Sequence, residues 1–164
     1  MNAQAIVFTS GTGFTARYAV LLSQKLHLPA YPLEEALTAL PAGTPVICMG
    51  WLMAGSVVGY RKAAKRFAIA AVVGVGLGDT GAQDAAARKA CRLPDEIPVF
   101  TVQGGMDHQK LKGGYKAGIS ILTKVMAAKK NRTPDEERML QLLIKGGDYV
   151  SEKELAAVLQ WAAQ

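Results

Sequence analysis

Short, uninterrupted apolar runs alternate along this chain with stretches in which apolar residues recur every three or four positions. Ala5-Ile6-Val7-Phe8, Pro45-Val46-Ile47-Cys48-Met49, Ala68-Ile69-Ala70-Ala71-Val72-Val73-Gly74-Val75 and Ile97-Pro98-Val99-Phe100-Thr101-Val102 have no polar face, so each predicts a strand buried on both sides. A shorter extended piece covers Ala30-Tyr31-Pro32-Leu33. Between them, helical spacing predicts a helix from Gly13 to His27 with Phe14, Tyr18, Leu21, Leu22 and Leu26 on one face. Further helices are expected over Ser56–Phe67 and Gly81–Cys91. Continuous strands separated by helices predict an α/β chain whose parallel sheet is covered on both faces. Five such strands fit a doubly wound sheet, which binds ligands beyond the carboxyl ends of its strands at the point where strand order reverses.

After the fifth strand comes a different texture. From Asp107 to Arg132 the chain carries Lys110, Lys112, Lys116, Lys124, Lys129, Lys130 and Arg132, with Tyr115, Ile119, Leu122, Val125 and Met126 at helical spacing among them. Such a helix either packs on the sheet with a solvated basic face or lies against an anionic surface or partner. Thr133-Pro134-Asp135-Glu136 is a capping-box start for a helix to about Lys145, which Gly146-Gly147 stops. Ser151-x-x-Glu154 opens a last helix to about Ala163, with Leu155, Val158, Leu159 and Trp161 as its buried stripe.

The chemistry concentrates where the first strand ends. Thr9-Ser10-Gly11-Thr12-Gly13-Phe14-Thr15 is a hydroxyl- and glycine-rich turn between a buried strand and a helix. Its glycines allow backbone N–H groups close to an anion, the hydroxyls add hydrogen bonds, and the helix N-terminus aims its free amides and dipole at the same place. No lysine lies in the turn, so a phosphate would be held there by neutral donors. A nucleoside-triphosphate loop needs Gly-Lys-Ser/Thr, and Gly13 is followed by Phe14. The dinucleotide fingerprint fits literally as Gly11-x-Gly13-x-x-Ala16, with Glu34 or Glu35 about 20 residues on as a ribose-binding acid. Four hydroxyls in seven residues suit a terminal monophosphate better than a pyrophosphate bridge. A threonine-capped turn with no ligand is the third reading.

Two more loops follow strands. Gly50-Trp51-Leu52-Met53-Ala54-Gly55 succeeds the third strand, and Gly76-Leu77-Gly78-Asp79 the fourth. Trp51 is placed to stack on a flat ring, with Leu52 and Met53 as walls. Asp79 serves either a ligand edge or the cap of the next helix. Taken together, the three loops resemble the flavodoxin-like FMN-binding proteins, over nearly the whole chain. Ser10-x-Thr12-Gly13-x-Thr15 matches that family's phosphate loop, and Gly76-Leu77-Gly78-Asp79 looks like its Gly-x-Gly-Asp turn beside the flavin.

The resemblance implies a flavodoxin-like three-layer sandwich with a five-stranded parallel sheet in the order 2-1-3-4-5, an extra basic helical segment after strand five, and FMN as cofactor. Thr9, Ser10, Gly11, Thr12, Gly13, Phe14 and Thr15 would hold the phosphate. Gly50, Trp51, Leu52, Met53, Ala54 and Gly55, with Gly76, Leu77, Gly78 and Asp79, would hold the ring. Gln103 and Gly104, followed by Gly105 and Met106, would complete the rim. The implied activity is electron transfer, or a small flavin oxidoreductase passing electrons to a redox partner protein or a quinone.

Three departures stand out. No aromatic residue follows Asp79, since Thr80-Gly81-Ala82-Gln83 comes next, so one ring face would be open to a substrate or quinone. Nineteen Lys+Arg against 13 Asp+Glu give a formal charge of +6, which favours acidic proteins, anionic lipid or anionic substrates as partners. The added basic segment resembles, in placement and composition alone, that of the quinone-linked protoporphyrinogen dehydrogenases. A fold that no longer holds flavin remains the alternative of a different class.

The rest of the composition narrows the picture. At 164 residues, half of them hydrophobic, the chain can bury one core as a single domain over residues 1–164. The first apolar run is too short for a signal peptide, and no stretch has the roughly 18 apolar residues of a spanning helix, so a cytoplasmic protein is expected, with peripheral membrane contact through residues 110–132 as the alternative to a basic face left in solvent. Cys48 and Cys91 suggest a reducing compartment rather than a disulfide framework, and neither they nor His27 and His108 show metal spacing. No recognition motif or aromatic interleaving points to nucleic acid. His108, just past the fifth strand, is a candidate proton donor, with a plain surface role as the alternative. Such poverty of acid–base groups suits a flavoprotein better than a hydrolase, because the cofactor carries the difficult chemistry.

Overall fold

The computed structural model describes residues 2–164. Five strands, β1 (Ala5–Thr9), β2 (Ala30–Pro32), β3 (Pro45–Met53), β5 (Ala68–Gly76) and β6 (Val99–Gln103), pair in parallel in the order β2-β1-β3-β5-β6. Leaving aside a short strand that pairs only with the end of β3, this is the 2-1-3-4-5 order that the resemblance implies. The reversal falls between β1 and β3, whose carboxyl ends meet at the pair Thr9 and Gly50.

Two apolar layers cover the sheet. On one face, Ile6, Ile47, Met49, Val73 and Val102 pack with Tyr18, Ala19 and Leu22 of α1 (Phe14–Leu26) and with Leu155 and Val158 at the C-terminus. On the other, Val7, Val46, Cys48 and Val72 meet α2 (Leu33–Ala39), α3 (Tyr60–Ala64) and α4 (Asp84–Cys91). Because successive strand residues point to opposite faces, a strand covered by helices on both sides must be apolar throughout, which is what the runs recorded.

The expected helix over Ser56–Phe67 is not continuous. Ser56–Val57 form a short strand, β4, antiparallel to the end of β3 through the pairs Leu52–Val57 and Met53–Ser56, and only Tyr60–Ala64 is helical. The hairpin turns on Ala54 and Gly55, both at positive φ (48° and 78°), the geometry of a two-residue type I′ turn. Gly50-Trp51-Leu52-Met53 are thus strand residues, not a loop. The helix expected from Gly81 starts later, at Asp84, because residues 80–83 form a turn held by the hydrogen bonds Gly81 N–H to Thr101 O (2.8 Å) and Ala82 N–H to Asp79 O (3.0 Å). Leu33, assigned to an extended piece, instead opens α2 behind Pro32, and Glu34 and Glu35 in the first turn are the sequence signal for it.

Beyond β6 the chain makes an excursion that closes on itself. Gly105–Met106 (β7) pair antiparallel with Gly147–Asp148 (β8), and between them lie a 3-10 turn (His108–Lys110), α5 (Gly113–Ala128) and α6 (Pro134–Lys145). The capping box forms as the sequence predicts: the Thr133 side chain accepts from Glu136 N–H (3.2 Å), and the Glu136 carboxylate accepts from Thr133 N–H (2.9 Å). Met106, Leu111, Leu142 and Leu143 form a small core of its own, against which Leu77, Tyr115, Ile119 and Met126 pack. The expected cap of the last helix does not form. Ser151 makes no side-chain cap bond, Glu154 accepts instead from the Thr80 hydroxyl, and a 3-10 turn (Glu152–Leu155) precedes α7 (Ala156–Ala162).

Candidate functional site

Where the sheet's strand order reverses, a cleft runs from the loop after β1 to the excursion. Gly11, Thr12, Phe14 and Thr15 form one end, Trp51 and Leu52 from β3 and Val75, Gly76 and Leu77 from β5 the floor and walls, and Gly105 and Met106 the far side. Over it lie Leu111 and three α5 residues, Tyr115, Ile119 and Leu122. The enclosed volume is about 90 Å³.

The loop leaves several hydrogen-bond donors free. Gly13 takes φ 99°, a left-handed conformation easy only for glycine, and this turns the chain sharply into α1. The Ser10 hydroxyl sits inside the turn and accepts from the N–H groups of Gly13 (3.2 Å) and Ala16 (3.3 Å). Ser10 thereby holds the loop in shape, and the amides of Gly11, Thr12, Phe14 and Thr15 have no protein acceptor among the described residues. Those amides, with the Thr12 and Thr15 hydroxyls on the cleft, are the donors left for a ligand. Thr9 is not one of them: its side chain turns toward Gly59 on the other side of the strand.

One cation comes close to the turn from far along the chain. The Lys110 ammonium lies 3.9 Å from where a Cβ on Gly13 would stand, and 3.6 Å from the Asp107 carboxylate. In sequence Lys110 belongs to the basic segment, and the turn itself offers only neutral donors. Nothing local in the sequence connects the two; the β7–β8 ribbon does.

Trp51 is the hinge of the apolar half. Its indole Nε1 would be 3.4 Å from a Cβ on Gly11, so the ring lies across the phosphate-type loop. The Tyr115 ring meets it edge-on at 4.7 Å and 86°. Burial pushes the Tyr115 hydroxyl above its ordinary pKa, as expected of a ring wedged into an apolar slot.

Other expected residues fall elsewhere. Met53 stands 55% exposed at the hairpin, and the turn at Ala54-Gly55 lies against Ala86 and Ala90 of α4. Gly78 and Asp79 leave the cleft for α6: the Asp79 carboxylate pairs with Arg138, and its N–H donates to Asp135 Oδ1 (3.3 Å). Nor does Asp79 cap α4, whose cap position is Gln83. Gln103 acts as a strut. Its side-chain amide donates to Leu77 O (3.3 Å), its N–H to the Thr80 hydroxyl (3.0 Å), and its carbonyl accepts from Tyr18 OH (2.5 Å). Gly104 packs under Val75, where a Cβ would come to 2.6 Å. His108 stands beside Gly146, outside the cleft. Glu34 is ion-paired with Lys62 (2.6 Å) on the surface.

Chemically, the arrangement offers an anion cradle opening directly into an apolar, aromatic-walled slot. Among the described residues no group of three or more His, Cys, Asp or Glu could hold a metal ion, and no helix is long and apolar enough to cross a membrane. Comparison with protein-family models, curated proteins and solved structures finds no match.

Proposed function

We propose that this chain is a flavodoxin-like redox protein that binds FMN at the cleft on the carboxyl ends of β1, β3 and β5. The observation that carries the reading is the junction itself: free amides and hydroxyls at Gly11–Thr15 open straight into a slot walled by Trp51, Leu52 and Gly76-Leu77. A monophosphate suits the cradle, and a flat apolar ring suits the slot. The sheet order and the reversal point lie where such folds bind mononucleotides.

Fit is unequal in the two halves. Thr12, Thr15 and the loop amides match a phosphate, with the Lys110 ammonium nearby at Gly13. The slot's 90 Å³ falls below the roughly 300–1,000 Å³ of ligand pockets, because Tyr115, Ile119 and Leu122 fill it. A ring enters only if α5 lifts, and Lys112-Gly113-Gly114 at its start is the natural hinge, with open space around both glycines. When bound, the flavin supplies one- and two-electron transfer. The chain's own residues bind the phosphate, wall the ring and exclude water. Electron donor and acceptor would be a redox protein or a quinone.

That filled slot favours a second reading, in which the fold holds no flavin. The visible spectrum of the purified chain, before and after FMN, FAD and NADH, separates the two, with melting temperature read alongside. A yellow protein, or a higher melting temperature with FMN alone, supports the first. No flavin colour and no shift with FMN refutes it, and protection by NADH alone assigns the cradle to a dinucleotide.

A further inference from the structure

α5 has two apolar faces, and the protein covers only one. Tyr115, Ile119 and Met126 turn inward onto the cleft and the excursion's core. On the opposite side, Ala117, Ile121, Val125 and Ala128 form a second stripe, with Ile121 and Val125 63% and 64% exposed. The stripe continues over Leu122 and Gly118 to exposed Met53 on the hairpin, which lines the same groove. A helix that is apolar on all but a narrow side is ordinarily buried. No residue of this one is buried, and a contiguous exposed apolar patch marks an interaction surface.

Charge identifies the partner. Between Asp107 and Asp135 there are seven Lys and Arg and no Asp or Glu. Lys129 and Arg132 are neutralised by Glu136 and Glu137 on α6, and Lys110 faces Asp107. Lys112, Lys116, Lys124 and Lys130 are exposed and make no ion pair among the described residues. They border the stripe at both ends and along one side, where their stems can lie on apolar surface while the ammonium groups reach outward. Unpaired cations around an aliphatic ridge match a negatively charged lipid surface, in which the ridge enters the acyl boundary and each lysine meets head groups. A soluble acidic partner would satisfy the lysines and leave no explanation for Ile121 and Val125.

We infer that α5 is a peripheral membrane-docking helix, seating the outer face defined by Ile121 and Val125 on an anionic bilayer. The inference does not depend on flavin binding. It places the cleft beneath the docked helix, within reach of a lipid-soluble reactant.

The test is flotation of the full chain with vesicles of phosphatidylcholine alone and of phosphatidylcholine with 30% phosphatidylglycerol as probes. Binding is expected on the anionic vesicles only, in 50 mM salt, with release at 500 mM. The double variant I121D/V125D, altered at exposed positions that do not line the cleft, is expected to lose at least tenfold in partitioning while keeping its circular dichroism. The triple variant K116Q/K124Q/K130Q is expected to lose as much, and the control R61Q/K65Q/K89Q, on or next to α3 and α4, little. Failure of the wild-type chain to float with anionic vesicles overturns the inference. So does an equal loss in the control, which would mean general attraction to a basic protein, or concentration-dependent dimerisation abolished by I121D/V125D without vesicle binding, which would make the patch a contact between copies.

Discussion

Two hydroxyls two residues apart in the loop after β1 have different jobs, and replacing each residue with alanine separates them. Ser10 is internal: its oxygen accepts from Gly13 and Ala16 N–H, so Ser10→Ala orphans two amides at the start of α1. Loss of a cap of this kind costs about 1 kcal/mol, which for a chain of this size lowers the melting temperature by about 2–4 °C. Thr12 makes no side-chain hydrogen bond among the described residues and lines the cleft, so Thr12→Ala should leave the melting temperature unchanged. Its cost appears on binding. A hydrogen bond to a charged group is worth about 1.5–3 kcal/mol, a loss of roughly ten- to 150-fold in FMN affinity. Quenching of flavin fluorescence on titration gives the affinity, and a thermal melt the stability. If Thr12→Ala binds FMN as tightly as the parent, the phosphate site is misplaced, however Ser10→Ala behaves. A Thr12→Ala chain that melts several degrees lower would show the hydroxyl to be structural instead.

Lys110→Gln should weaken FMN binding several-fold at low salt and hardly at all at 1 M salt, where the Debye length is about 3 Å; an equal loss at both would deny the charge a role. Gly105→Ala drives a methyl into the Gly147 carbonyl and to 2.5 Å from the Phe14 ring, so it should open the β7–β8 ribbon and cost about 1–3 kcal/mol, read as a lower melting temperature. Tyr18, fully buried, has its hydroxyl pKa pushed up to about 12 from 10, chiefly by that burial. A pKa higher in the folded than in the unfolded chain means stability that is intact below pH 10 and is lost as pH rises toward 12. Urea midpoints measured from pH 9 to 12 should fall, less steeply in Tyr18→Phe; identical slopes would show that other groups govern the alkaline limit.

The long strands and the outer helices were legible because their causes are local. A strand covered on both faces has to be apolar at every position, so Ala68–Val75 announces itself. The capping box at Thr133–Glu136 spans four residues and forms whatever lies nearby. The loop at Ser10–Thr15 was readable for the same reason, since a turn that presents amides needs glycine and small hydroxyls in place. Where the local signal failed, a distant contact decided. Glu154 carries the right spacing for a capping box with Ser151, yet the Thr80 hydroxyl on the other side of β6 captures it. The hairpin at Ala54-Gly55 has an alanine where the turn favours asparagine or glycine, and pairing with β3 holds it there.

The candidate site divides along the same line. The sequence by itself determined the alternation of strands and helices, the glycine- and hydroxyl-rich turn at the reversal point and the apolar residues at the ends of β3 and β5, because each is written within a few consecutive positions. Only the tertiary structure decided what closes the slot. Tyr115 lies 64 residues beyond Trp51 in the chain, and Lys110 lies 97 beyond Gly13. Tyr115 reaches the cleft, and Lys110 the turn at Gly13, because the two-residue strands Gly105–Met106 and Gly147–Asp148 pair and fold the excursion back over the sheet. Pairs that short carry no periodicity, and contacts across so many residues are fixed by packing and loop closure rather than by any local preference.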